Sequence, residues 1–111
     1  MRAKFGNKKV VTQDGTFDSQ REYKRWCELK LLQKAGEIFN LERQVKYVLI
    51  RSQTRSDGKK EREVAYIADF RYQTSKGSHT VLEDSKGVRT DAYIIKRKMI
   101  LHFHGITVRE T

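Results

Sequence analysis

The 111-residue chain has no proline, one cysteine and no apolar run near the ~20 residues needed to span a bilayer. Each shortage excludes something. A solitary Cys27 closes no intramolecular disulfide, and without a second cysteine there is no CxxC knuckle, so a structural zinc is not expected. No repeat or low-complexity tract interrupts the chain, nothing reads as a linker, and the length is that of one domain. The first residues, Met1 to Gly6, lack the apolar h-region of a secretory signal, which sets the expectation of a cytoplasmic protein with no membrane association. Acidic residues are also scarce: 14 Asp and Glu stand against 24 Lys and Arg, a formal net charge of +10.

That imbalance, with a pI near 9.9, favours polyanionic partners, because each Lys or Arg laid on a phosphate releases a condensed counterion. Nucleic acid therefore ranks ahead of membranes and acidic proteins. The few acids are unevenly spread. Residues 61 to 84 hold five of them (Glu61, Glu63, Asp69, Glu83, Asp84) against three basic side chains (Arg62, Arg71, Lys76). A passive phosphate binder gains nothing from carboxylates where DNA will lie, whereas a site that holds a divalent cation against a phosphate needs them.

Turn signals divide the chain at short intervals. Lys9 to Thr12, the turn Gln13-Asp14-Gly15 and Thr16-Phe17 suggest a small hairpin or arm. Ser19-x-x-Glu22 matches a capping box, and good helix formers run to Ala35 before Gly36, which predicts a helix over roughly 19–35. Gln44 to Arg51 reads as a strand and Ser56-Asp57-Gly58-Lys59 as a loop. Residues 63–74 read as the longest strand, alternating around Tyr66, Ala68, Phe70 and Tyr72. Ser75-Lys76-Gly77-Ser78 turns the chain into a strand over 79–86. Thr90 or Asp91 caps a second helix to about Phe103, Gly105 ends it, and Ile106 to Arg109 forms a last strand. The order is α, β, β, β, α, β. A crossover through the second helix makes the strands on either side of it parallel within one mixed sheet, covered by helices. The fold class is thus α/β in the α+β sense.

Four residues stand out chemically. A two-residue hairpin loop, Lys76-Gly77, pairs residues so that Asp69 lies opposite Asp84 and Ile67 opposite Lys86, and opposed residues share a face. Like charges placed there are destabilising unless compensated, and a divalent cation is the obvious compensator. Asp is disfavoured in strand interiors, yet Asp69 interrupts an apolar run of strand formers. Period 2 sets Asp84 with Lys86 on one face and Glu83 with Val81 and Ser85 on the other. A loop one residue longer sets Asp69 against Glu83 or Ser85 instead, which keeps Glu83 as an alternative ligand. On a helical wheel Glu22 shares the face of Trp26 and Leu29, so a carboxylate lies on a packing face, where it either closes the capping box with Ser19 or serves the acidic pair.

Other candidates carry less. His102 and His104 point about 200° apart on a helix, so no histidine has metal-ligand spacing. Cys27 has no nucleophile signature, and there is no Gly-rich phosphate loop.

A helix Glu, a strand Asp and then Asp-x-Lys on the next strand, in this element order, resemble the PD-(D/E)XK nuclease superfamily, specifically its short phage-type members related to Holliday-junction resolvases. The resemblance covers nearly the whole chain and rests on Phe17-Asp18-Ser19-Gln20-Arg21-Glu22, Glu28-Leu29-Lys30-Leu31-Leu32, Tyr66-Ile67-Ala68-Asp69-Phe70 and Leu82-Glu83-Asp84-Ser85-Lys86-Gly87-Val88-Arg89-Thr90. Ala68 stands where the name-giving pattern has Pro. The resemblance implies a restriction-endonuclease-like αβββαβ domain and a Mg²⁺-dependent endonuclease, with Mn²⁺ able to substitute. Within it, Asp69, Asp84 and Glu22 are metal ligands, Glu22 being the helix acid that completes the shell of the first ion or of a second, and Lys86 is the catalytic lysine. It also implies branched DNA as substrate, a homodimer with paired sites, and a bacterial host cell if the chain is phage-encoded. Lys4, Lys8, Lys9, Arg89, Lys96, Arg97 and Lys98 are the candidate phosphate contacts as a group. The rival expectation is a non-catalytic basic module that binds DNA or RNA on the same fold.

Overall fold

Ser19 starts the first helix as its sequence requires. Its backbone is extended and its side chain accepts a hydrogen bond from the Glu22 amide, after which α1 runs Gln20–Lys34. Gly36, at φ 81, lets the chain leave the helix. These elements belong to a computed structural model that describes residues 8–75, 79–85 and 89–111. Lys4, the Lys76-Gly77-Ser78 turn and Lys86 lie outside the described residues.

Before α1 a short hairpin pairs β1 (Val10–Thr12) with β2 (Gly15–Phe17). After it, β3 (Phe39–Ile50) starts five residues earlier than the β-branched run at Gln44 suggests. A second small hairpin, β4 (Gln53–Thr54) with β5 (Lys60–Glu61), forms where the sequence reads as loop. The chain continues through β6 (Val64–Ser75), β7 (His79–Asp84), α2 (Asp91–His104) and β8 (Arg109–Glu110). The main sheet has the order β3-β6-β7-β8. Its first three strands are antiparallel, and β8 runs parallel to β7, with Glu83 beside Arg109 and Asp84 beside Glu110. The expected α+β class, the mixed sheet and the parallel crossover are all present. The last strand is only two residues long, shorter than Ile106 to Arg109, because Ile106 and Val108 pack into the core rather than extend the ladder.

The core is in two parts. Leu29, Ile38, Phe70 and Tyr72 pack under α1 with Trp26, Leu41 and Val81 around them, and the Trp26 ring stacks on Phe70 at 6.0 Å. Tyr66, Ala68, Leu82, Tyr93, Ile100 and Val108 pack under α2 with Tyr47 and Leu49.

This division corrects the single apolar face expected of Tyr66, Ala68, Phe70 and Tyr72. The first two lie under α2 and the last two under α1. The neighbouring strand changes face at the same level: Leu41 packs with the α1 cluster and Arg43 lies over the Phe17 and Trp26 rings, whereas Tyr47 and Leu49 join the α2 cluster. Gln44 is the physical reason, because its left-handed backbone (φ 52) turns the strand by about one side-chain step. The register puts Asp69 level with Gln44, between Val45↔Ala68 and Arg43↔Phe70. The two helices therefore pack against opposite faces of β7, where Val81 joins the α1 cluster and Leu82 the α2 cluster, and Asp69 sits on the line where β6 passes from one cluster to the other.

Candidate acidic site

Three carboxylates near that line have almost no exposure. Glu22 is 3% exposed, Asp69 9% and Asp84 0%, and such burial is costly without partners. β6 and β7 pair in the expected register at Phe70↔Glu83, Arg71↔Leu82, Tyr72↔Val81 and Gln73↔Thr80, which continues to Asp69 level with Asp84. At the turn end the pairing is Ser75↔His79, one step out of phase, so a two-residue Lys76-Gly77 loop is not what sets the register. An irregularity between Gln73 and Ser75 absorbs the difference and preserves the acidic alignment.

Beyond Phe70↔Glu83 side chains take over from the ladder. The Asp69 amide donates to Asp84 Oδ1 at 3.2 Å, and the Ser85 amide donates to Asp69 Oδ2 at 2.8 Å. Each carboxylate thus accepts from the main chain of the other's neighbourhood, and both are fixed at the end of the paired segment.

Glu22 reaches the same region from α1. Its Oε1 accepts from the Asp18 amide at 3.1 Å, so the capping box closes one residue upstream of Ser19. Its Oε2 accepts from Gln44 Nε2 at 3.2 Å and lies 3.7 Å from the Arg43 guanidinium. Burial first, then the negative charge of Asp69, hold the Glu22 carboxyl above its ordinary value, while the Asp18 amide and Arg43 oppose them. Capping and proximity to Asp69 therefore hold together, and the two roles left open for Glu22 are compatible.

Glu83 has a different surrounding. It is wholly buried on the α1 side, gripped by Arg25 through Nε and Nη2 at 2.8 Å each, and it also accepts from the Tyr72 hydroxyl. A carboxylate held by a fork of this kind is a tie between α1 and β7. It is separated from Asp84 by strand alternation, so as an alternative ligand it is committed elsewhere.

The donors around Asp69 and Asp84 are hard oxygens, the type that Mg²⁺ accepts. Among the described residues no three His, Cys, Asp or Glu side chains are gathered as a group that could hold an ion. The engagement of Glu22 by Gln44 and Arg43 is one reason, since it turns Oε2 toward cationic and amide donors. The chemistry of the acidic pair fits a divalent cation, and Glu22 stands beside it with its own partners.

Of the candidate phosphate contacts, Lys8, Lys9, Arg89 and Lys98 are exposed, while Lys96 and Arg97 are half-buried. Lys9 pairs with Asp18 at 3.3 Å and Arg89 with Glu110 at 3.0 Å. The Arg97 Nε is out of solvent without a hydrogen bond, which makes Arg97 less available than its neighbours on α2. A cleft of about 580 Å³ lies elsewhere, between Glu42, Tyr47, Arg71, Thr80 and His104, and none of the three acids lines it.

Sequence reasoning missed Arg25, Arg43 and Gln44. Arg25 was within reach, since it lies three residues after Glu22 on a packing face, where a cation needs a buried partner. Arg43 and Gln44 had no signal, because both depend on a left-handed backbone that a Gln does not announce.

The chain belongs to the family described as Protein of unknown function (DUF1064), whose model matches residues 2–109. No curated protein and no solved structure matches it. Among the described residues no helix is long and apolar enough to cross a membrane.

Proposed function

We propose that the chain is a metal-dependent endodeoxyribonuclease of the PD-(D/E)XK type, acting on branched DNA. The observation that carries the reading is the alignment of two buried aspartates at the end of a paired strand segment. That placement costs free energy in an apo protein and is recovered when a cation binds. The net charge of +10 and the element order around the acids support it.

Asp69 and Asp84 are the residues that would hold Mg²⁺, and the ion would supply charge neutralisation at a scissile phosphate. Glu22, held near the pair by its capping bonds, adds negative charge and an acceptor for a proton or a water. Lys86 follows two residues after Asp84 and steadies charge developing on the phosphate or orients the attacking water. The basic residues of the amino-terminal segment and of α2 neutralise flanking phosphates. A homodimer with paired sites suits a four-way junction.

A second reading has its own support: Glu22 is engaged by Arg43 and Gln44 and Glu83 by Arg25, as in a binding module whose acids only tie elements together. Cleavage of end-labelled four-way junction, flap and linear duplex by wild type and Asp84→Asn, with Mg²⁺, Mn²⁺ or EDTA, separates the two. Metal-dependent paired cuts in the junction, absent in the variant, are expected. Binding without cutting under every condition favours the second reading.

A further inference from the structure

The β4–β5 hairpin has no core to explain it. Every residue from 51 to 63 is exposed, so its formation owes nothing to apolar burial. It is nonetheless well formed. Gln53 pairs with Glu61 and Thr54 with Lys60, the Arg55 amide donates to the Lys59 carbonyl at 2.7 Å, and Gly58 turns the tip at φ 87. The ribbon carries five cations, Arg51, Arg55, Lys59, Lys60 and Arg62, against Asp57, Glu61 and Glu63. Asp57 is occupied by Arg55 at the tip, and Glu63 by Lys46 at the base.

Two features indicate what the ribbon meets. Among the paired residues, alternation puts Lys60 with Thr54 on one face and Glu61 with Gln53 on the other, and the remaining cations, Arg51, Arg55, Lys59 and Arg62, flank these pairs at the base and the tip. A ribbon with cations spread along its length suits a groove whose two walls are both phosphate, and the major groove of B-DNA is wide enough for two antiparallel strands. The ribbon is also an extension of β3 and β6, the strands that carry the acidic line. Twelve residues separate Asp69 from Asp57, a reach of at most about 40 Å, comparable to one helical turn of DNA. Between them, Ile67 and Val48 are 51% and 44% exposed, so this stretch of the sheet is open to solvent.

We propose that the β4–β5 ribbon is a duplex-binding arm that enters the major groove and sets where along the DNA the Asp69–Asp84 site falls. The proposal rests on the DNA reading above, and its test does not depend on cleavage. Affinity for labelled linear duplex is measured by fluorescence anisotropy in EDTA over a range of salt. Wild type is compared with Lys59→Ala/Lys60→Ala and with the charge-matched control Lys24→Ala/Lys34→Ala on exposed positions of α1. The arm variant is expected to keep the wild-type melting temperature and to bind on the order of tenfold more weakly. The slope of log K against log salt should be smaller by about 2, with little change in the control. Wild type should also protect guanine N7 from methylation, and the arm variant should not. Equal losses in both variants, unchanged binding by the arm variant, or no N7 protection by wild type would overturn the arm. An arm effect in a protein that never cuts DNA would sustain the arm and remove the nuclease. Cutting that is unaffected by the arm variant, with binding also unchanged, would do the reverse.

Discussion

The Asp69 amide donates to Asp84 Oδ1 at 3.2 Å, which joins two buried carboxylate residues through the main chain of one and the side chain of the other. The relationship fixes what substitution can show. Asn in place of Asp84 keeps an acceptor for that amide, so the fold survives while the charge is lost.

The tie between α1 and β7 is the first stability test. Arg25 grips Glu83 at 2.8 Å through two nitrogens, and the Glu83 carboxylate strongly raises the guanidinium's hold on its proton. Arg25→Ala leaves Glu83 buried without its cation, at an expected loss of about 3–5 kcal/mol of unfolding free energy. Adding Glu83→Gln should recover part of it. Chemical denaturation measures both, and a loss below about 1 kcal/mol would mean that the tie is not what joins the two elements.

Glu22 gives a pH signature. Its folded value lies above the ordinary 4.5, chiefly through burial and then through Asp69. Between 4.5 and the raised value the folded chain holds a proton that the unfolded chain has released, so this group adds stability as pH falls through that interval and costs stability above it. The melting temperature of wild type minus that of Glu22→Gln should increase as pH is lowered from neutral towards 4.5. A flat or falling difference would contradict the assignment.

Gly15 tests the hairpin that holds Arg43. It has φ 119, and a Cβ there would meet Arg43 Nη1 at 3.0 Å. Arg43 in turn donates to the Thr16 carbonyl at 2.9 Å and lies 3.7 Å above the Phe17 ring. Gly15→Ala is expected to destabilise by about 1–3 kcal/mol, read by thermal or denaturant unfolding. A neutral outcome would show that the Arg43 position is not constrained there.

Much of this was legible in the sequence where local chemistry decides. Ser19 with Glu22, Gly36, Thr90 and Gly105 mark helix ends by capping and backbone geometry, and α1 and α2 lie within a residue or so of the expected spans. The register at Phe70↔Glu83 agrees with the sequence expectation, but the two-residue loop that expectation rested on does not set it, because the irregularity between Gln73 and Ser75 restores the phase. What escaped is what depends on distant contacts. The change of face at Gln44 and Asp69 needs a left-handed residue of a type that does not favour it. The grip of Arg25 on Glu83 joins positions 58 residues apart. The β4–β5 ribbon looked like solvated loop because it has no apolar pattern, and its pairing is carried by backbone hydrogen bonds and the Gly58 turn.

Lys86 separates binding from chemistry. Lys86→Ala should leave DNA affinity nearly unchanged and reduce cleavage strongly, so that single-turnover rates fall while anisotropy curves superpose. Equal losses in both would contradict its assigned role.

The most direct test of the account is Mn²⁺ binding, followed by electron paramagnetic resonance and by the melting temperature, in wild type, Asp69→Asn and Asp84→Asn. The acidic pair predicts Mn²⁺ uptake with thermal stabilisation in wild type, and loss of both in each variant while the variants remain folded. Variants that melt higher than wild type and bind Mn²⁺ equally well would mean that the two aspartates do not form a cation site.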